Sequence, residues 1–516
     1  MTTRSVYMVA SENGALPGGK AGGVGDVLRE LPRALVANQV PVTVLCPAYG
    51  RLHETAGMVV GEPLTVPFAG QSLLVQTYNL RDVHGVDHVV LQHEAFDPHG
   101  DQRIYHDDGI ARPFATDASK FALLSAAAGC WLLHHATPDA VIHAHDWHAA
   151  PLLTLRAFLP EFSGLQKFRT VLTLHNLALQ GIRPLRHDAS SLQAWFPSIG
   201  LDNPVLRDPR YADCYNPVAA AIQLADAINT VSPNNAQEIL QPDDPARAFR
   251  GGEGLQAYLQ SAQADGRLVG ILNGCDYDGD YSRQQWPTLA TAIDGALNEW
   301  QRTDPANKAL HRLAMDKLAR IDAAPHPLLT SVGRLTDQKI QLLLLRDDEG
   351  ISSLQHIIAT LPAKALFIML GTGDPTMEVD LVEHSRRDAR FLFLRGFSES
   401  LSDLIYRTGD LFVMPSSFEP CGISQMMAMR AGQPCLVHAV GGLYDTVEEG
   451  FSGYRFAGDS LAAQTHALRD AVQRAMQDFQ NDDKRWALLR RNAASLRFRW
   501  TKSASLYQQH LYQFND

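Results

Sequence analysis

Short apolar runs rich in β-branched residues alternate along the chain with longer stretches of helical period. The clearest runs are Val42–Leu45, Val141–His143, Thr170–Leu174, Leu328–Val332, Leu366–Leu370 and Leu411–Met414. Runs apolar at nearly every position are expected of parallel strands covered by helices on both faces. Most of them end in a polar cluster: His143-Ala-His-Asp146, His175-Asn176, Gly333-Arg334, Gly371-Thr-Gly-Asp374 and Pro415-Ser-Ser417. Ligands of open α/β sheets bind off the carboxyl ends of the strands, so chemistry is expected at these clusters. They fall into two groups, before about residue 240 and after about 325, separated by a less periodic stretch with Pro242-Asp-Asp-Pro245, Gly251-Gly-Glu-Gly254 and Val269–Gly274. The pattern predicts an α/β protein with two doubly wound sheets facing each other across a cleft and a domain boundary near 265. No repeat of solenoid length interrupts it.

Composition narrows the partners. A chain of 516 residues is long enough for several domains. Its net charge of −11 opposes a nucleic-acid backbone or an anionic membrane, so an anionic substrate requires a few local cations. Six cysteines (Cys46, Cys130, Cys214, Cys275, Cys421, Cys435) lack metal-binding or disulfide spacing, which points to a reducing compartment. Residues Val6–Ala10 are too short an apolar run for a signal peptide. The longest uncharged stretch, Phe121–Leu133, falls short of a membrane span. The expectation is a cytoplasmic protein.

The first strand leads into Gly14-Ala-Leu-Pro-Gly-Gly-Lys20-Ala21-Gly22-Gly23-Val24-Gly25-Asp26, with a helical pattern from Val27. Gly14–Lys20 fits the phosphate-loop spacing, but Ala21 replaces the hydroxyl that would bind magnesium. What remains is a glycine turn with a cation, Lys20, at a helix N-terminus, which suits phosphate oxygens. Lys20 reads as buried among the glycines; a plain turn is the competing reading. His143, His145, Asp146 and His148 resemble zinc spacing, yet no second group of partners accompanies them, so no metal is expected. Asp276-Tyr-Asp-Gly-Asp280 lacks the calcium-loop pattern and reads as an acidic turn. Arg334 and Lys339 flank a short turn after a strand, as two cations converging on a diphosphate would. Phe418-Glu419-Pro-Cys421-Gly422 follows another strand and leaves the Glu419 carboxylate before the next helix, Ile423–Ala431; Gly441–Thr446 opens a further helix in the same way.

The series Lys20–Asp26, His143–Trp147, Leu174–Leu177, Thr230–Pro233, Gly270–Gly274, Arg334–Lys339, Gly371–Pro375, Glu419–Gly422 and Gly441–Leu443 resembles, in order and over nearly the whole chain, the motifs of the bacterial glycogen synthase and plant starch synthase family. The resemblance implies a GT-B fold with two Rossmann-like domains, 1–265 on the acceptor side and 266–495 for the nucleotide sugar, and a C-terminal helix, 496–516, returning to the first. It implies a retaining transfer of glucose from ADP-glucose, or UDP-glucose, to the non-reducing end of an α-1,4-glucan, with no metal or cofactor. The partners are then a nucleotide sugar and a glucan or maltooligosaccharide, not nucleic acid or membrane. By position, Glu419, His175, Arg334 and Lys339 would be catalytic. Lys20, Gly22, Gly23, Asn273, Gly371, Cys421, Gly422 and Thr446 would bind the donor, and Asp26, Asp146 and Asn176 the sugar or acceptor.

The chain departs from the family pattern in places. Three extra residues lie between Glu12 and Lys20, Val24 replaces a leucine, and Ile340 stands where a glycine usually follows Lys339. Gln341–Ser353 does not follow the family's apolar helix. The longer loop is expected to favour short acceptors over branched polymer. The alternatives are a same-fold enzyme with a small non-glucan acceptor, a catalytically idle glucan-binding protein, and a phosphate-loop nucleotidase, which Ala21 argues against.

Overall fold

The computed structural model describes residues 4–514. The chain divides into two compact units. The first comprises the described chain up to Asp243, then Gly251–Gly274 and the C-terminal segment from Trp500; the second comprises Asp244–Arg250 and Cys275–Arg499.

In the first unit seven parallel strands lie in the order Leu268–Gly270, Ala227–Thr230, Arg169–Leu174, Val141–His145, Val6–Val9, Val42–Pro47, Asp87–Gln92. The antiparallel Gln71–Arg81 continues the sheet and pairs with the short strands Val59–Val60 and Leu64–Phe68. Alternation along Val6–Val9 sends Tyr7 and Val9 into one apolar cluster and Val6 and Met8 into another, so both faces are covered. The first cluster contains the helix Ala115–His135, buried on nearly every side; the uncharged run Phe121–Leu133 is thus the middle of a core helix. No helix of the described residues is long and apolar enough to cross a membrane. The second cluster joins the helix Gly23–Ala37 to Trp500, Tyr507, Leu511 and Tyr512. That C-terminal segment is tied in by polar bonds as well: Asn229 Nδ2 donates to the Tyr507 hydroxyl at 2.6 Å, and His143 Nδ1 lies 3.0 Å from that of Tyr512.

The boundary expected near 265 falls after Gly274, because Leu268–Gly270 is the edge strand of the first sheet. Gly270 is required there: a Cβ would stand 2.3 Å from the Ser232 carbonyl oxygen. The returning segment starts at Trp500 rather than 496, and residues 515–516 lie outside the described chain.

The second unit has six parallel strands in the order Phe391–Arg395, Leu366–Gly371, Leu328–Val332, Leu411–Met414, Cys435–His438, Gly453–Phe456. Leu329 and Phe367 face a cluster that includes the helix Leu461–Asn481; Leu328 and Ile368 face one that includes Trp286–Thr303. After Lys339 the chain stays helical over Asp337–Leu344, with Ile340 buried in the core in place of the expected glycine. It then turns at Arg346–Gly350 and re-enters a helix at Ser353 through a Ser352/Gln355 capping box.

Each sheet reverses its order at one point. In the first, Val6–Val9 has Val42–Pro47 on one side and Val141–His145 on the other. In the second, Leu328–Val332 lies between Leu366–Gly371 and Leu411–Met414. Crevices open at the carboxyl ends of strands where the order reverses, and most of the polar clusters sit there.

Candidate active site

In the first unit the strand Val6–Val9 runs into Ser11, Glu12 and Asn13, all buried, and then the glycine loop. Glu12 organises that loop. Its Oε2 accepts the amide N–H groups of Ala21 at 2.8 Å, Gly22 at 2.7 Å and Gly25 at 3.2 Å, while the Tyr105 hydroxyl donates to Oε1 at 2.7 Å. The anion at this helix N-terminus is therefore the protein's own carboxylate. The helix starts at Gly23, four residues before the expected Val27. Lys20 is exposed, not buried; its ammonium reaches Asp26 Oδ1 at 2.7 Å, and Arg29 approaches the same oxygen at 3.1 Å. The extra residues of the loop fold inward: Asn13 N–H donates to the Gly19 carbonyl at 2.8 Å, and Leu16 is buried in the core.

Across the order reversal, Val141–His145 delivers Asp146 in a left-handed backbone conformation, φ 53°. Strain of this kind in a non-glycine residue concentrates at functional sites. Burial pushes the Asp146 carboxyl up to about 7, although it accepts the His175 N–H at 2.6 Å. That N–H is therefore committed within the protein. His145 Nδ1 lies 3.0 Å from His175 Nε2, and His143 stacks on His145 with ring centroids 4.1 Å apart. Burial pushes His143, His148 and His175 down to about 3, and His145 well below its ordinary value, so the four rings are neutral near pH 7. Asn176 Oδ1 accepts from the Ala178 N–H at 2.9 Å and shapes the turn after the strand. Among the described residues no group of three His, Cys, Asp or Glu side chains is arranged to hold a metal ion. The Asp276–Asp280 turn is closed by its own bonds, Asp276 accepting the Asp278 N–H at 2.9 Å and the Tyr281 hydroxyl. Asn273, at the end of the first unit, is buried with an Oδ1 that has no hydrogen-bond partner among the described residues.

In the second unit a cleft at the order reversal is lined by Val332, Gly333, Lys339, Met414, Pro415 and Ser416. The segment after Met414 is laced to the helix that carries Lys339: Gln338 Nε2 donates to the Phe418 carbonyl at 2.8 Å, and the Ser417 N–H donates to the Gln338 carbonyl at 2.8 Å. These bonds bring the Lys339 ammonium onto Glu419 Oε2 as an ion pair, with Glu419 buried and Lys339 partly open. Arg334 is exposed, and its side chain has no bonding partner among the described residues.

The glycines here serve close backbone approach. A Cβ on Gly441, φ +42°, would lie 2.0 Å from the Glu419 carbonyl oxygen, and one on Gly442 2.3 Å from that of Cys421. A Cβ on Gly371 would lie 2.1 Å from the Gly333 carbonyl oxygen. Gly422 has φ +73° and begins the turn into the helix Ser424–Arg430. Thr446 is buried, its hydroxyl donating to the Gly442 carbonyl at 2.7 Å, and the buried Cys421 thiol faces the Gly422 carbonyl. Sequence reasoning missed Glu12, Tyr105 and Gln338 as organisers. Only Glu12 carried a signal, as a charged residue directly after a buried strand.

The chain matches two family models, the starch synthase catalytic domain over residues 5–261 and glycosyl transferases group 1 over residues 326–478. It is 33% identical to a glycogen synthase of Anaeromyxobacter sp. (strain Fw109-5), with 98% of both chains covered. It is also 33% identical to a glycogen synthase of Deinococcus radiodurans, covering 97% of this chain and 98% of that one. Among solved structures it superimposes on the catalytic domain of starch synthase IV from Arabidopsis thaliana bound to ADP and acarbose, with a TM-score of 0.77, 26% identity and coverage of 100% and 99% of the two chains.

Proposed function

The chain belongs to the glycogen synthase and starch synthase family, retaining glucosyltransferases of the GT-B fold, and on that premise we propose that its donor is ADP-glucose and its acceptor the non-reducing end of an α-1,4-glucan. The observation that carries the donor half of the proposal, a sugar on a nucleoside diphosphate, is the pairing of Lys339 with Glu419 at the order reversal of the second sheet, where Arg334, without a partner among the described residues, follows the strand Leu328–Val332. A nucleoside diphosphate leaves with negative charge, and fixed cations in a crevice stabilise that charge as it develops. In this reading Arg334, Lys339 and Lys20 contact the diphosphate, and Glu419 contacts the glucose. When a diphosphate takes over Lys339, the Glu419 carboxylate is released from its ion pair to accept sugar hydroxyls. Gly371, Cys421, Gly422 and Thr446 shape the donor's bed through backbone rather than side-chain bonds, which fits the inward turn of the Cys421 and Thr446 side chains. Gly22 and Gly23 keep the mouth of the lysine loop open, and Asn273 offers a buried amide oxygen with no partner among the described residues.

On the acceptor side we place Asp146, His175 and Asn176, with Asp26 holding Lys20 until the donor arrives. A neutral His175 adds no second positive charge next to a glucosyl group that becomes cationic in the transition state. The ADP preference and the glucan acceptor are supported by the starch synthase structure described as bound to ADP and acarbose. The test is nucleoside diphosphate release from ADP-glucose and from UDP-glucose, with water, glycogen, maltooligosaccharides or a small non-glucan alcohol as acceptor. Faster turnover of ADP-glucose, stimulated by glucan well above the rate in water and at least as strongly by maltooligosaccharides as by glycogen, is expected. Stimulation by the small alcohol alone would leave the donor half standing and overturn the acceptor.

A further inference from the structure

We propose that Glu12, clamped by Tyr105, is the positioning residue for the lysine loop: it takes up the Ala21, Gly22 and Gly25 amides of the glycine-rich turn and so fixes the base from which Lys20 reaches the donor. The inference rests on the reading of Lys20 as a diphosphate contact.

The geometry runs through one buried carboxylate. Its Oε2 collects three amides of the loop, from Ala21, Gly22 and Gly25, on both sides of the helix start. Gly25 is pinned from a further direction, its carbonyl accepting the Gly14 N–H at 3.1 Å. A Cβ on Gly25 would lie 2.9 Å from both Glu12 Oε2 and Lys20 Cγ, so the lysine stem and the carboxylate pack against the same glycine. Lys20 therefore leaves a base that Glu12 fixes, although Glu12 is only 2% exposed and does not need to meet a ligand. A long lysine side chain gains reach but loses precision unless its base is held, and an error of about 1 Å at a reacting group costs about 10²-fold in rate.

Tyr105 closes the arrangement from a segment distant in sequence. Its hydroxyl sits between Glu12 Oε1 and Ser11 Oγ, the latter at 2.9 Å, and burial with the Glu12 charge beside it keeps the phenol protonated, hence a donor. The Tyr105 segment is anchored by Lys120, 1% exposed, whose ammonium contacts Asp117 at 2.8 Å, the Ile104 carbonyl at 2.7 Å and His106 Nδ1 at 3.0 Å. The chain of contacts runs from Lys120 through Tyr105 and Glu12 to the stem of Lys20, all inside the first unit.

The test is a mutant cycle read as kcat/KM for the nucleotide sugar, using Glu12→Ala, Tyr105→Phe and Lys20→Ala in the full chain. Glu12→Ala is expected to lower kcat/KM by at least about tenfold and Tyr105→Phe by about threefold, yet each by less than about twofold when Lys20 is already Ala, because residues acting through one another are not additive. Formate, small enough for the vacated cradle, should restore part of the Glu12→Ala loss and none of the Lys20→Ala loss. If Glu12→Ala fails to fold, the Tyr105→Phe cycle carries the same test. Equal costs with and without Lys20, or a Glu12→Ala loss that formate leaves unchanged, overturn the inference. Wild-type donor kinetics in Lys20→Ala alone overturn the diphosphate reading instead, and this inference with it.

Discussion

Lys339 and Lys20 each meet a carboxylate, Glu419 and Asp26, while Arg334 meets none among the described residues. Arg334→Ala should therefore leave the melting temperature unchanged and raise the donor KM by about tenfold, the scale of one exposed charge contact to a phosphate. Glu419→Gln keeps the shape of a buried side chain but removes its charge. We expect kcat to fall by about 10²-fold with a melting temperature shift of only a few degrees; parallel losses of activity and stability would mark Glu419 as a structural cap. The buried histidines set the acid side of stability. Their folded values are depressed, to about 3 for His143, His148 and His175, whereas the unfolded chain takes up those protons near its ordinary value of about 6.5. The unfolded state thus binds more protons over that window, and stability is lost as pH falls through it. Asp146, raised to about 7, acts in the opposite sense, but one carboxyl opposes four imidazoles. The melting temperature should fall steadily from pH 7 to pH 5, and a flat profile would contradict neutral buried rings.

The elements that carry these residues are joined by close backbone approach. The helix Gly441–Thr446 abuts the turn that bears Glu419, with the Gly442 N–H donating to the Glu419 carbonyl at 3.1 Å. Gly441→Ala adds a methyl where there is no room and forces a side chain into a left-handed conformation. A loss of about 2 kcal/mol or more is expected by chemical denaturation, together with a lower kcat because Glu419 must shift. Gly23→Ala is the matched control, since its Cβ would meet nothing within 4 Å. It should leave stability almost unchanged, and its φ/ψ is already helical.

At the scale of the molecule, the first unit is completed by the last stretch of the chain. Trp500, Tyr507, Leu511 and Tyr512 fill the face of the sheet that Val6, Met8 and Val141 present. A chain ending at Arg499 uncovers that face and removes one hydrogen-bond partner each from Asn229 and His143, leaving both side chains only Thr173 among the described residues. It should aggregate or be digested by protease within the first unit while the second unit resists, and wild-type protection of the first unit would show that the segment is dispensable. Because the proposed diphosphate contacts are all side-chain cations, donor turnover should also persist in EDTA; loss of activity restored by Mg²⁺ would bring the Asp276–Asp280 turn into consideration as a ligand.

Patterns of short range were legible in the chain itself. Leu328–Val332, Leu411–Met414 and Gly441–Thr446 form the elements their residues imply, because a buried parallel strand has to be apolar throughout and a helix start that touches another backbone has to be glycine. The polar clusters at strand ends were legible for the same reason, since a break in an apolar run marks where the strand leaves the core. Other features depend on which distant segments meet. Leu268–Gly270 is three residues long and only half-buried, too weak a pattern to assign to a sheet until its neighbour Ala227–Thr230 is in place. Lys20 reads as buried beside its glycines and is exposed, because Glu12, not the lysine, is drawn into the amide cradle. The hold of Tyr105 on Glu12 and of Tyr512 on His143 spans 93 and 369 residues of sequence. Hydrogen bonds of that reach carry no periodicity along the chain. They exist only because the sheet and its helices bring the partners within about 3 Å, which is a decision of the tertiary structure alone.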